Sequence, residues 1–191
     1  MKTLFIGIVA FFMCTVQSDN LQPDKAEAQA AYNYINKIRQ NPAAFSQAIG
    51  VDLSNIKTMP ALVWNDTLAK VAEAKALDMA TRNYFAHVDP DGYAINYYIN
   101  KAGYKLNPSW LNDKKNNYFE SIQAGESSGE DAVRSLIQDR TTPSLGHRKH
   151  LLGMEKFNST LVDIGIGFVK VPDGKANYIT YTSIVIAKHD W

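Results

Sequence analysis

The residues best equipped for chemistry are His87, His147, His150, Glu120 and Asp139. Neutral imidazoles and carboxylates together make ligand sets for zinc and neighbouring divalent ions, ideally with one position left for water. His87, Glu120, Asp139 and His147 offer that mixture, each at the end or edge of a different predicted element. Glu120 follows Tyr118 and Phe119 and precedes Ile122, a setting in which an unpaired carboxylate is costly. Asp139 falls at the end of a predicted helix, where the helix dipole disfavours an anion. Two readings of these groups stay open on the residues alone. One is a metal site; the other is an ion-pair and cap network among Glu120, Asp139, Arg140 and Arg148. His147 and His150 are spaced to share one helix face. With Arg148 and Lys149 between them, the simpler arrangement turns His147 inward and His150 outward. His189, next to the C-terminal Asp190 and Trp191, reads as a solvated tail residue. Nucleophilic catalysis has little support, because Cys14 is the single cysteine and no Gly-x-Ser-x-Gly elbow is present.

The elements that must position these groups follow from periodicity. Ala31, Ile35 and Ile38 place a helix over 24–40, and Asn41-Pro42 ends it. Pro42 opens a second short helix that Gly50 stops. "LVWNDTLAKVAEAKALDMATRN" carries Leu68, Ala72, Ala76 and Met79 at helical spacing, with Asn65 or Asp66 as the cap. "YAINYYINKAG" predicts a short helix closed by Gly103. "NYFESIQAG" predicts a strand ending at Gly125, and Ser127 or Ser128 caps a helix running to Asp139. "LVDIGIGFVKV" and "NYITYTSIVIAK" predict two strands joined as a hairpin through 172–174. The pattern is α+β, with helices layered on a mainly antiparallel sheet.

Residues 1–18 have the form of a secretory signal peptide: Lys2, an apolar stretch from Leu4 to Met13, and Val16 and Ser18 before the cleavage point. The apolar stretch is half the length that a spanning helix needs, so no transmembrane anchor is expected. Residues 19–25 read as a short leading segment and 26–191 as a single domain. Removal of residues 1–18 takes away Lys2 and Cys14. The remaining chain then has as many basic as acidic residues and no disulfide. A neutral chain has no overall field to collect nucleic acid or an anionic membrane, and no nucleic-acid partner is expected. Asn65-Asp66-Thr67 and Asn158-Ser159-Thr160 are acceptor triplets for N-glycosylation in a host that performs it.

The ordered motifs "YINKIRQNPAAF", "LVWNDTLAKVAEAKALDMATRNYFAHVDPDG", "YFESIQAG", "AVRSLIQD" and "GHRKHLL", followed by "DIGIGF", resemble the CAP superfamily. This is the SCP-domain group of cysteine-rich secretory, antigen 5 and pathogenesis-related proteins, and the likeness is to its disulfide-free branch. The resemblance implies a secreted, monomeric, three-layer α-β-α sandwich with a cleft of two histidines and two acids. His87 matches the first cleft histidine, Glu120 the acid of the Gly-Glu-Asn motif, His147 the second histidine, and Asp139 the place of a helix-ending glutamate. Members with this cleft bind zinc or another divalent cation, mostly through the histidines. The departures are Tyr118-Phe119-Glu120-Ser121 in place of Gly-Glu-Asn, Asp139 in place of glutamate, and Val88 where many members have serine. The resemblance implies binding of an extracellular ligand or partner. One alternative is a metal-dependent hydrolase with Glu120 as general base. Another is a sterol or lipid carrier, walled by Tyr93, Ile95, Tyr97, Tyr98 and Ile99.

Overall fold

The computed structural model describes residues 21–172 and 174–189. The signal-peptide expectation at 1–18, Cys14, Asp173 of the hairpin turn and Trp191 lie outside the described residues. Helix α1, Lys25–Gln40, starts where the Asp24 carboxylate accepts the amides of Ala26 and Glu27. Its stripe of Ala28, Ala31, Ile35 and Ile38 is buried. Asn41-Pro42 ends it, and a 3₁₀ turn over Pro42–Phe45 leads into α2, Ser46–Ile49, closed by left-handed Gly50. Helix α3, Asp66–Thr81, is capped by the Asn65 side chain, which accepts the amides of Thr67 and Leu68. Helix α4 covers Ile95–Lys101, and α5, Gly129–Gln138, is capped by Ser128. Helix α6, Gly146–Leu152, starts after Leu145 in the left-handed region.

Four strands form one sheet in the order β1-β3-β4-β2: β1 is Val63–Trp64, β2 Glu120–Ala124, β3 Asp163–Lys170 and β4 Thr180–Ala187. The β2–β4 and β3–β4 pairs are antiparallel, as expected. Strand β1 is an addition to the sequence reading. It lies parallel to β3, with Val63 opposite Asp163. Two residues are too few to show an alternation, so the sequence signal there was the helix start alone.

Strands β3 and β4 are covered on both faces. Gly165 and Gly167 face α3 so closely that a Cβ on Gly165 would sit 2.1 Å from the Ala69 nitrogen, and one on Gly167 2.3 Å from the Ala72 oxygen. Ile164, Ile166 and Phe168 point to the opposite face, where α1 packs on β3 and against α5. The result is the α-β-α sandwich, with β4 buried along its whole length because neither of its faces meets water. Among the described residues no helix is long and apolar enough to cross a membrane.

His189 corrects the tail reading. Its Nδ1 lies 2.9 Å from Asp163 Oδ2 and 3.1 Å from the Tyr104 hydroxyl. The β3–β4 register sets Asp163 opposite Ala187, so the chain leaving β4 passes over the start of β3.

Candidate functional site

Residues from separate elements meet in a cleft of about 330 Å³ lined by His87, Tyr118, Glu120, Ser121, His147 and His150, among others. His87 lies in the coil that follows α3, and Glu120 opens β2. Asp139 is the C-cap of α5, and His147 is in the first turn of α6.

Glu120 is held from both ends. The Asn117 side chain accepts the Glu120 amide at 3.0 Å and donates to its carbonyl at 3.3 Å. Its carboxylate Oε1 accepts the Ser183 hydroxyl at 2.8 Å, and Oε2 lies 3.0 Å from His87 Nδ1. Asp139 sits at the end of one helix but serves the start of the next. Its Oδ2 accepts the amides of His147 and Arg148, and Oδ1 lies 2.8 Å from His147 Nδ1. This explains an anion at a helix C-terminus, because its carboxylate points to the N-terminus of α6. Burial works against ionisation of Asp139, yet the hydrogen bonds from His147, Thr142 and the Arg148 amide outweigh it and hold the carboxyl below its ordinary value.

The ion-pair network with Arg140 and Arg148 does not form. Arg148 donates to the carbonyls of Ile137 and Gln138, and Arg140 is exposed. The carboxylates go to the two imidazoles instead. The Glu120 and Asp139 side chains are 0% and 1% exposed, whereas His87 and His147 are 38% and 28% exposed. The acids are sealed behind the rings, and the rings face the cleft.

That arrangement determines which ring nitrogen is free to act. An ionised carboxylate accepts a hydrogen bond from Nδ1–H, which leaves the lone pair of a neutral imidazole on Nε2. A carboxylate behind Nδ1 is the usual support of a metal-ligating histidine, fixing both its tautomer and its orientation. Among the described residues, however, no three His, Cys, Asp or Glu side chains gather closely enough to hold an ion by themselves. The cleft side chains that could offer a donor to an ion are His87 and His147, each through Nε2.

His150 reverses its expected direction. It is buried, its Nδ1 lies 2.8 Å from Ser121 Oγ, and its Nε2 lies 3.4 Å from the Ile186 carbonyl. Burial lowers its pKa to about 4. Helix α6 buries Leu151 and Leu152 together with His150, and His147 stays at the rim. Sequence reading missed Asn117, Ser183 and the Ser121–His150 pair. Their one common sign was a polar residue inside or beside an otherwise apolar strand or helix end.

The sequence profile of CAP, the cysteine-rich secretory protein family, matches residues 32–184. The chain belongs to this family. Among solved structures, the CAP fold is similar to an extracellular protein containing an SCP domain from Bacillus anthracis, at 25% identity and a TM-score of 0.55. That alignment covers 86% of this chain and 41% of the Bacillus chain, so this protein spans about two fifths of that neighbour. An outer surface protein from Borrelia burgdorferi has the same fold at 19% identity and a TM-score of 0.56, over 87% of this chain and 95% of the other. No curated protein matches the sequence significantly.

Proposed function

We propose that this CAP-domain protein is a monomeric extracellular binding protein whose cleft holds zinc, or a similar divalent cation, on Nε2 of His87 and Nε2 of His147. The observation that carries this reading is the pairing of both cleft imidazoles, through Nδ1, with sealed carboxylates. The extracellular and outer-surface descriptions of the two structural neighbours support the location. A bound cation would give the cleft a positive centre for anionic or carbonyl groups of a ligand. Glu120 and Asp139 would act behind the imidazoles, orienting them and raising their basicity. We favour binding over hydrolysis because both Glu120 oxygens are engaged and its side chain is sealed, which leaves no open oxygen for a general base. Calorimetric titration with zinc tests the proposal. Binding in the wild type that disappears in the His87→Ala/His147→Ala double variant is expected, and a wild type that takes up no zinc overturns it.

A second reading, carriage of an apolar ligand such as a sterol, draws on a different cavity. A groove of about 410 Å³ between α3 and α4 is lined by Val71, Ala74, Tyr98 and Ala102, with Lys70 and Lys101 among its other lining residues. Of the expected wall, Tyr98 alone lines it. Ile95 and Ile99 are core residues, and Tyr93 and Tyr97 pack on each other. A labelled sterol that elutes separately from the protein in gel filtration would eliminate this reading.

A further inference from the structure

His87 lies in coil, and a coil residue does not by itself hold an imidazole at a fixed angle. After α3 ends at Thr81, residues 84–86 form no regular structure and His87 stands in a bend. The Lys75 side chain reaches this segment from the helix. Lys75 is 5% exposed, and its ammonium donates to the Tyr84 hydroxyl at 3.1 Å, the Ala86 carbonyl at 2.9 Å and the His87 carbonyl at 3.0 Å. An ammonium has three protons, and here each has an acceptor within four consecutive residues. Tyr84 continues the chain of contacts by donating to Asp78, which also pairs with Arg82.

A buried lysine is costly unless its charge is compensated. Burial holds the Lys75 pKa below its ordinary value, and the nearby charges of Glu120, Asp89 and Asp78 offset part of that effect. Glu120, whose charge favours the Lys75 ammonium, is also the carboxylate that holds the His87 ring. The imidazole is fixed at two points: its ring by Glu120 and its backbone by Lys75. The anchor is itself firmly placed, because α3 lies on β3 at van der Waals contact.

We infer that Lys75 is a positioning residue of the cleft: its ammonium, held on the carbonyls of Ala86 and His87, sets the direction in which His87 presents Nε2. This rests on the zinc-binding reading for its consequence, whereas the contacts it describes are between protein atoms alone. At His147 the backbone is held differently, its amide donating to Asp139.

The test is Lys75→Met, which keeps the length of the side chain and removes its charge and its donors. Imidazole NMR signals of the metal-free protein are recorded together with the zinc affinity. His87 should shift or broaden while His147 stays in place, and zinc affinity should fall by about ten- to a hundredfold, the usual range for loss of an outer-shell partner. A folded variant whose His87 signals do not move overturns the inference. Equal movement of both histidines also overturns it, because that is general loosening of the domain. A wild type that binds no zinc removes the proposed function but leaves the NMR comparison in force. If Lys75→Met does not fold, the wild-type ammonium decides. Nitrogen-labelled Lys75 locked on three acceptors should exchange its protons with water far more slowly than the exposed lysines, and exchange at the same rate overturns the inference.

Discussion

The two halves of the cleft reach the same end by different routes. In the Asp139–His147 half the partners are eight positions apart, and a single carboxylate meets the ring, its own amide and the next amide. In the Glu120–His87 half the ring meets a carboxylate 33 positions away, which is held by Ser183 from a third element. The first half is a helix start, put together locally by a capping side chain. The second exists only when β2, β4 and the segment after α3 are all in place. The difference shows that a matched pair of imidazole–carboxylate contacts need not share a cause, and that the two halves should fail separately.

The largest effect is expected from the non-local half. Glu120→Ala leaves the Ser183 hydroxyl and His87 Nδ1 without their buried acceptor and should cost roughly 3 kcal/mol in urea unfolding. The His147 signals should not change; a Glu120 variant that disturbs both rings equally would show that the halves are one unit.

His150 joins the halves, because it is on α6 with His147 and bonds Ser121, the neighbour of Glu120. Its folded pKa of about 4 is below the ordinary histidine value of 6.5, so between these values the unfolded chain binds the extra proton. Stability is therefore complete above about pH 6.5 and falls as the pH drops toward 4, by roughly 3 kcal/mol in all. Denaturation midpoints measured across that window should drop in the wild type and stay nearly level in His150→Gln. Asp139 acts lower on the scale. With its folded pKa depressed, its contribution is present above the ordinary carboxylate value and disappears as the pH falls through the folded one.

The smallest effect belongs to the local half. Asp139→Ala removes a helix cap and one ring contact, and should cost about 1–2 kcal/mol. His147 should become mobile while His87 keeps its signals. A loss larger than that of Glu120→Ala would reverse the ranking of local and non-local support.

The same division separates what was legible in the sequence from what was not. Helices α1, α3 and α5 showed through their periodic apolar residues, and α3 and α5 also through Asn65 and Ser128 beside their starts. The β3–β4 hairpin showed through apolar residues alternating with Gly165 and Gly167 on one strand, and through β-branched and aromatic residues on the other. The residues converging on the cleft were named from motif likeness and residue type, and the structure brings them together. Which way His150 turned could not be read from spacing, because α6 buries one face against β2 and the rest of the core, and spacing carries no information about that neighbour. His189 was likewise read from its distance to the chain end, whereas the β3–β4 register decides what it touches. Lys75 was a misplaced charge that the periodicity could have flagged. It falls on the same stripe as Leu68, Ala72 and Met79.

The contact between α3 and β3 also bears on how the chain can vary. At Gly165 and Gly167 there is no room for any side chain, because the neighbouring atoms are helix backbone and cannot swing aside. If all four positions 69, 72, 165 and 167 were randomised in one library and folded clones selected, glycine would return at both strand sites almost without exception, and small residues at both helix sites. Lys70 and Glu73, exposed or half-exposed on the same helix, would return nearly any residue. The tolerance of α3 to change therefore differs from one residue to the next, and the sites that admit least lie on the strand it covers.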